Sequence, residues 1–235
     1  DDVVDVTMFE KLYNRAVMTG ADVVDCGYYM KEKDMAIVHT SDDLTGEQTA
    51  EKRKGLIVSG GYIWSKLFKR NMLAGVSFRE KCILEDSDFL AYIFATAHRV
   101  ENVKEILYLY RDVSDIQTHR EQDPYKYNDN LVKAMRAIYD KTSLLSVYED
   151  IREAVEYEII DMYDRAILNI VNDLKREKKL NTYAALRDLA IIKSGLVKGR
   201  YSSNRYVQAK LTPLDIEVME KNDSDPKLVM EMVKS

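Results

Sequence analysis

Residues 21–30 read Ala21-Asp22-Val23-Val24-Asp25-Cys26-Gly27-Tyr28-Tyr29-Met30. This β-branched and aromatic run has the composition of a buried strand. Before it, Met8, Phe9, Leu12, Tyr13 and Ala16 recur at helical spacing, with Thr7 placed as an N-cap. Glu10 stands three residues on as the partner of a capping box, and Gly20 supplies the stop. After the strand, residues 31–54 are polar and broken, which predicts a hairpin and a mobile loop through Thr40-Ser41-Asp42-Asp43. The pattern then predicts a second helix from about Trp64 to Leu73, with Leu67 and Phe68 turned to a core. A third helix is predicted over 85–99, with Phe89, Leu90, Tyr92, Ile93 and Phe94 apolar, followed by a short strand from Ile106 to Arg111. Helices and strands in alternation point to an α/β layered domain.

After Pro124 the helical period dominates to about Leu211, through Leu131, Met135 and Ile138 and then Val155, Ile159, Met162, Ile167 and Ile170. Pro213, Asn222-Asp223 and Pro226 mark a looser tail that ends in a short amphipathic helix near Leu228 to Val233. The expected fold class is therefore α/β over residues 1–124, an all-α helical region over 125–211, and a tail over 212–235.

Composition narrows the function classes. Of 235 residues, 46% are hydrophobic and 32% charged, with nine Gly and three Pro, so a buried core is affordable and disorder is excluded. The net charge of −5 argues against a polycation built for nucleic acid. Two cysteines, Cys26 and Cys82, exclude a disulfide scaffold and a four-cysteine zinc site; both sit among apolar residues and read as core thiols, in a reducing compartment. No apolar run reaches the roughly 18–20 residues of a membrane span, and the acidic opening has no signal-peptide pattern. The chain opens on Asp1-Asp2 without an initiator Met, as if cut from something longer.

Four features bear on chemistry. Asp1-Asp2 with Asp5 offers the oxygen ligands of Mg²⁺ or Mn²⁺, or else complements a helix dipole. Glu85-Asp86 at a helix start reads either as capping or as a general base on a rigid helix. The histidines, His39, His98 and His119, show no zinc-hydrolase spacing; His119 sits in a polar loop where a metal or phosphate contact fits as well as a plain surface role. Between Asp173 and Lys210, ten basic residues face three acidic ones, which reads as a solvated helix face or as attraction to anionic lipid or a polyanion. No Walker loop, nucleophile elbow or GxGxxG exists, and Gly60-Gly61 is a turn signal only.

Four segments in order resemble the second half of a family 2 glycosyltransferase of the GT-A fold. Asp1-Asp2-Val3-Val4-Asp5 with Met8-Phe9-Glu10-Lys11-Leu12-Tyr13 is similar to the end of that family's Asp-x-Asp-Asp motif and the helix after it. Gly61-Tyr62-Ile63-Trp64-Ser65-Lys66-Leu67-Phe68-Lys69-Arg70 resembles the W-N-K-L-Y-K-R segment of its bacterial polysaccharide branch. Phe78 to Phe89 resembles the segment F-x-E…x-E-D-x-x-F, and Ile106 to Arg111 is similar to P-L-Y-Y-Y-R. Residues 1–120 carry the resemblance.

The resemblance implies an inverting transfer from a nucleotide-sugar donor to a glycan or lipid-linked acceptor in cell-surface polysaccharide synthesis. It implies Asp86 as the base with Glu85 tuning or orienting it, and Asp1 as a ligand of Mg²⁺ or Mn²⁺. It further implies Arg111 and His119 at the donor diphosphate, and Trp64 and Lys66 on the acceptor side. Departures are the missing nucleotide-binding first half, Ser65 for the usual Asn, and Ile116, flanked by Ser114 and Thr118, near a usual Ser. The implied location is cytoplasmic, or peripheral at the inner face of the cell membrane. The alternative is a noncatalytic helical module that docks an anionic membrane or partner through residues 173–210.

Overall fold

In a computed structural model, residues 2–111, 124–175 and 181–234 are described. The strand expected at 21–30 is β2, Val23–Met30, and it is buried along almost its whole length because it has neighbours on both sides. It runs parallel to β6, Arg99–Tyr110, with irregularities in register around Gly27. On the far edge of β2, β3 (Met35–Ile37) and β5 (Lys66–Phe68) pair antiparallel with its two ends. On the far edge of β6 sit β1 (Val3–Val4) and β4 (Gly46–Glu47), also antiparallel.

Each face of the sheet carries helices. α1, Met8–Thr19, seals a small cluster of Met8, Leu12, Val24, Cys26 and Leu107 on one face. Gly20 ends it in the left-handed region at φ 69, as read from sequence. Thr7 stands at its N-cap position but its side chain makes no capping bond, so the expected capping box does not form; its backbone N–H and hydroxyl instead donate to the Asp5 carboxylate at 2.8 and 2.6 Å. On the other face lie α2 (Ala50–Ser59) and α3 (Glu85–Thr96). Their core is continuous with that of the helical half: α4 (Pro124–Thr142), α5 (Tyr148–Lys175), α6 (Thr182–Leu196), α7 (Arg205–Lys210), α8 (Pro213–Ser224) and α9 (Pro226–Lys234). The architecture is thus an α/β portion followed by helices, with one hydrophobic cluster running across residue 124. α5 is its pillar: Ile151, Val155, Ile159, Met162, Tyr163 and Ile167 are all buried at helical spacing.

Several expectations are corrected. Trp64 to Leu73 is not a helix but a 3-10 turn at Ile63–Ser65, strand β5, and a second 3-10 turn at Arg70–Leu73. Pairing with β2 overrides the helical spacing of Leu67 and Phe68. The strand at 106–111 is longer and starts at Arg99. Its buried Glu101 disguised it; Arg15 and Arg99 neutralise that carboxylate. α2 begins inside the 31–54 stretch read as hairpin and loop and runs past its end to Ser59; Thr49 caps it, its hydroxyl accepting the Lys52 N–H. The looser tail contains α8, started by a Thr212–Asp215 capping box with Pro213 in the first turn. The basic stretch is not a uniform outward face. Lys193 is buried against Asp223 and over the Tyr163 and Tyr201 rings. Arg205 is held by Glu51 and Glu153.

Replacing Thr212 with Ala is expected to destabilise the protein by about 1 kcal/mol, lowering Tm by about 2–4 °C, while Thr212→Ser is neutral. Calorimetry of the two variants checks this, and an unchanged Tm for the Ala variant contradicts the capping assignment.

Candidate active site

The first cluster forms where β2, β6 and the turn before β5 converge. Asp25, in the middle of β2, is fully buried, and opposite it in register stands Lys66. The Lys66 ammonium lies 3.3 Å from Asp25 Oδ1, with both side chains at 0–1% exposure. Two charges so far from water require further partners. The Ser65 and Thr40 hydroxyls donate to the two Asp25 oxygens at 2.7 and 2.8 Å. Lys66 donates to the Tyr62 carbonyl at 2.8 Å. Asn102 of β6 donates to the Thr40 carbonyl at 2.5 Å, so the loop expected to be mobile is tied to the sheet. Gly61, at φ +85, is required here: a Cβ would meet the His39 ring at 2.9 Å and the Lys66 ammonium at 3.0 Å. The Lys66 side chain, expected on the acceptor side, therefore points inward and fixes the turn that carries Tyr62 and Trp64.

That turn presents its rings to those of β6. Trp64 stacks on Tyr108 at 4.1 Å and lies within 6–9° of parallel to Tyr62 and Tyr110. Tyr28 meets Tyr62 and Trp64 edge-on, and its hydroxyl pairs with His39 Nε2 at 3.1 Å. Burial, then the Lys66 charge, holds the His39 pKa down, so this ring is neutral at pH 7. Burial pushes the Tyr28 phenol up to about 12 and the Cys26 thiol likewise, which keeps that thiol an inert core group.

Asp2 adjoins this stack. The Tyr108 hydroxyl donates to its Oδ2 at 2.7 Å, and the Arg111 backbone N–H to its Oδ1 at 2.9 Å. The Arg111 Nε is buried and makes no hydrogen bond among the described residues. Asp1 and His119 lie outside the described residues.

The second cluster is the start of α3. Glu85 and Asp86 occupy its first turn, half-buried, preceded by Leu84 in the left-handed region at φ 62; Lys81 shares that strained conformation at φ 53. The loop is held from outside: Arg79 donates to the Leu84 carbonyl at 2.7 Å, and Asn130 of α4 accepts the Ile83 N–H at 3.1 Å. Fully buried Asp88 anchors the turn between Arg79 at 2.8 Å and Lys141 of α4 at 2.5 Å. Among the described residues no cation pairs with Asp86. Burial first, and then the neighbouring Glu85 charge, push its pKa above the usual carboxylate value despite N–H bonds from the helix start. A carboxylate with raised proton affinity on a braced helix end suits a general base. Phe68 of β5 touches Phe89, which also stacks on Phe78, so the segment Tyr62–Phe68 spans from the ring stack to α3.

Sequence reasoning named Trp64, Lys66, Glu85, Asp86 and Arg111, and missed Asp25, Thr40, Tyr62, Tyr108 and Tyr110. Signals existed. Asp25 is an acid inside an apolar strand, which calls for a buried partner. Tyr108-x-Tyr110 places two rings on one face of a strand, and Tyr62-x-Trp64 puts two more aromatic residues close together in the segment before β5.

No family model matches the chain. It is 30% identical over 139 residues to the uncharacterized glycosyltransferase EpsJ of Bacillus subtilis, covering 54% of this chain and 39% of that protein. It is 29% identical over 126 residues to the cholesterol galactosyltransferase of Borreliella burgdorferi, covering 46% and 34%. The crystal structure of residues 1–349 of S. aureus TarS with UDP-GlcNAc superposes with a TM-score of 0.60 at 16% identity, over 95% of this chain and 64% of that one. The same TarS fragment with UDP gives 0.57 at 15% identity. The chain resembles glycosyltransferases. It spans little more than a third of its two curated relatives and under two thirds of the solved structures.

Removing Asp25 (Asp25→Ala) leaves the Lys66 charge buried and is expected to cost about 3–5 kcal/mol in urea unfolding. The double variant Asp25→Val with Lys66→Met is expected to be more stable than Asp25→Ala alone. A double variant less stable than the single one contradicts the pairing.

Proposed function

We propose that the chain is the acceptor-side part of an inverting glycosyltransferase, with donor binding completed by a nucleotide-binding half. Asp86 carries the reading: its position in the first turn of α3, its braced loop and its raised proton affinity suit the removal of an acceptor hydroxyl proton. As that oxygen bonds to the anomeric carbon and the bond to the nucleoside diphosphate breaks, Asp86 takes the proton and the diphosphate keeps the electron pair. Glu85 keeps Asp86 basic by charge repulsion. Arg111, whose Nε makes no hydrogen bond among the described residues, offers a donor to the diphosphate as negative charge develops there.

The metal expected at Asp1 enters no step here. Asp1 is outside the described residues, Asp2 is engaged by Tyr108 and Arg111, and among the described residues no group of three or more His, Cys, Asp or Glu is placed to hold a metal. Relatives that transfer sugars, and TarS bound to UDP-GlcNAc and UDP, support a nucleotide-sugar donor. A glycan or lipid-linked acceptor in cell-surface polysaccharide synthesis follows from the motif resemblance. The exposed apolar stripe on and before α1, with Val6, Phe9, Tyr13, Val17 and Met18 each more than 60% exposed, supports a further layer packing there. Among the described residues no helix is long and apolar enough to cross a membrane, and the internal pairing of Lys193 and Arg205 takes support from membrane docking through 173–210.

In a longer polypeptide that includes the donor-binding half, Asp86→Asn is expected to lower kcat about 10²–10⁴-fold with donor affinity unchanged. The same substitution is expected to raise stability at neutral pH. A carboxyl whose pKa is raised on folding destabilises the fold above that pKa, and the effect vanishes below the ordinary Asp value. Turnover by Asp86→Asn within threefold of the native enzyme contradicts the assignment.

A further inference from the structure

No step above gives the helical half a part in the chemistry, yet one residue of α4 closes the loop that carries Glu85 and Asp86. The Lys141 ammonium, in the last turn of α4, lies 2.5 Å from Asp88 Oδ2 and donates to the Ser77 carbonyl at 3.0 Å. One side chain therefore clasps the two ends of the segment 77–88. Between those ends Lys81 and Leu84 sit at φ 53 and 62, a conformation that a non-glycine residue keeps only where its surroundings hold it. Arg79 works from inside the loop, with Nε 2.8 Å from Asp88 Oδ1 and Nη2 donating to the Leu84 carbonyl at 2.7 Å. The clasp is rigid and shielded. Leu131, Met135 and Ile138 seat α4 in the core, Asp88 is fully buried, and the Lys141 side chain is 24% exposed, so salt screens the pair little.

We infer that Lys141 is a positioning residue for the transfer: by clasping Ser77 to Asp88, its ammonium holds the first turn of α3 so that Asp86 meets the acceptor hydroxyl. This rests on the reading of Asp86 as the base. Lys141 has a second effect, which runs through Asp88. Among the described residues, the charges that raise the proton affinity of Asp86 are those of Glu85 and Asp88 on its own helix. Arg79 in the loop and Lys141 on α4 each offset part of the Asp88 charge. Without Lys141, Asp88 repels the Asp86 carboxylate more, and Asp86 keeps its proton to higher pH. Without the Asp88 carboxylate, two cations stand unopposed, and Asp86 gives up its proton at lower pH.

The first measurement needs no donor-binding half. In the 235-residue chain, carbon-13 NMR of the side-chain carboxyls follows the titration of Asp86, assigned by its loss in Asp86→Asn. Lys141→Met is expected to move that titration to higher pH, and Asp88→Asn to lower pH. Lys141→Arg keeps the charge and is expected to return the titration toward the native midpoint. In a longer, transfer-competent polypeptide, Lys141→Met is expected to lower kcat about 10–100-fold, since a misplacement of about 1 Å costs up to about 10²-fold. The acid limb of its kcat/KM profile is expected to move up in pH with the titration, and Lys141→Arg to restore rate and limb together. Where buried Asp88→Asn fails to fold, the two Lys141 variants decide.

An Asp86 titration unmoved by Lys141→Met, or moved to lower pH, overturns the inference. Lost rate with an unmoved acid limb marks a merely structural lysine and overturns it too. The two readings fail separately. Native turnover by Asp86→Asn removes the base, and Lys141 then only orders the loop. An inactive Asp86→Asn enzyme beside a Lys141→Met enzyme of native rate and profile removes the clasp and leaves the base.

Discussion

The structure around the candidate site depends on one buried ion pair, Asp25 with Lys66. Desolvating two charges is expensive, and their attraction offsets it only when every remaining donor and acceptor is satisfied. Here Ser65, Thr40 and the Tyr62 carbonyl satisfy them. The consequences reach outward. Thr40 is drawn in, so its loop docks on Asn102 of β6. Lys66 must face β2, so β5 forms as a strand and the preceding turn projects Tyr62 and Trp64 onto the β6 rings. A substitution in the pair is therefore expected to shift the turn that carries Tyr62 and Trp64, which Lys66 holds through the Tyr62 carbonyl.

The helical half has a comparable part at the other cluster. The strained loop before α3, with Lys81 and Leu84 at positive φ, would relax if it were not held. α4 supplies Asn130 to its backbone and Lys141 to Asp88. With Asp88 taking both cations, Asp86 has no counter-charge among the described residues, and burial and then the Glu85 charge raise its proton affinity. Two carboxylates two residues apart thus differ in environment: Asp88 anchors the helix between two cations, and Asp86 holds its proton more tightly than an ordinary carboxyl.

Much of the fold was legible in sequence wherever local pattern and tertiary environment agree. β2 sits between partners on both sides, so its continuous apolar run reads correctly, and the long helices show their period plainly. The misreadings share a cause: a long-range partner decides the local structure. Leu67 and Phe68 have helical spacing but lie on a strand because β2 pairs with them. Glu101 hides the start of β6 because its neutralising Arg15 is on another element. The excess of basic residues in 173–210 shrinks in structure because Glu51 and Asp223 lie far from it in sequence. At the candidate site, the motifs drew attention to Trp64, Lys66, Glu85, Asp86 and Arg111. The rings and polar groups that orient them were not legible, since their relation exists only after β2, β5 and β6 have paired.

The central claim is that a single carboxylate, Asp86, acts as base in a direct displacement at the anomeric carbon. One displacement inverts configuration; two in sequence retain it. Proton NMR of the product formed by a longer, transfer-competent polypeptide reads the anomeric coupling directly. The account predicts a product anomer opposite to that of the donor, and a product with the donor's own configuration contradicts it.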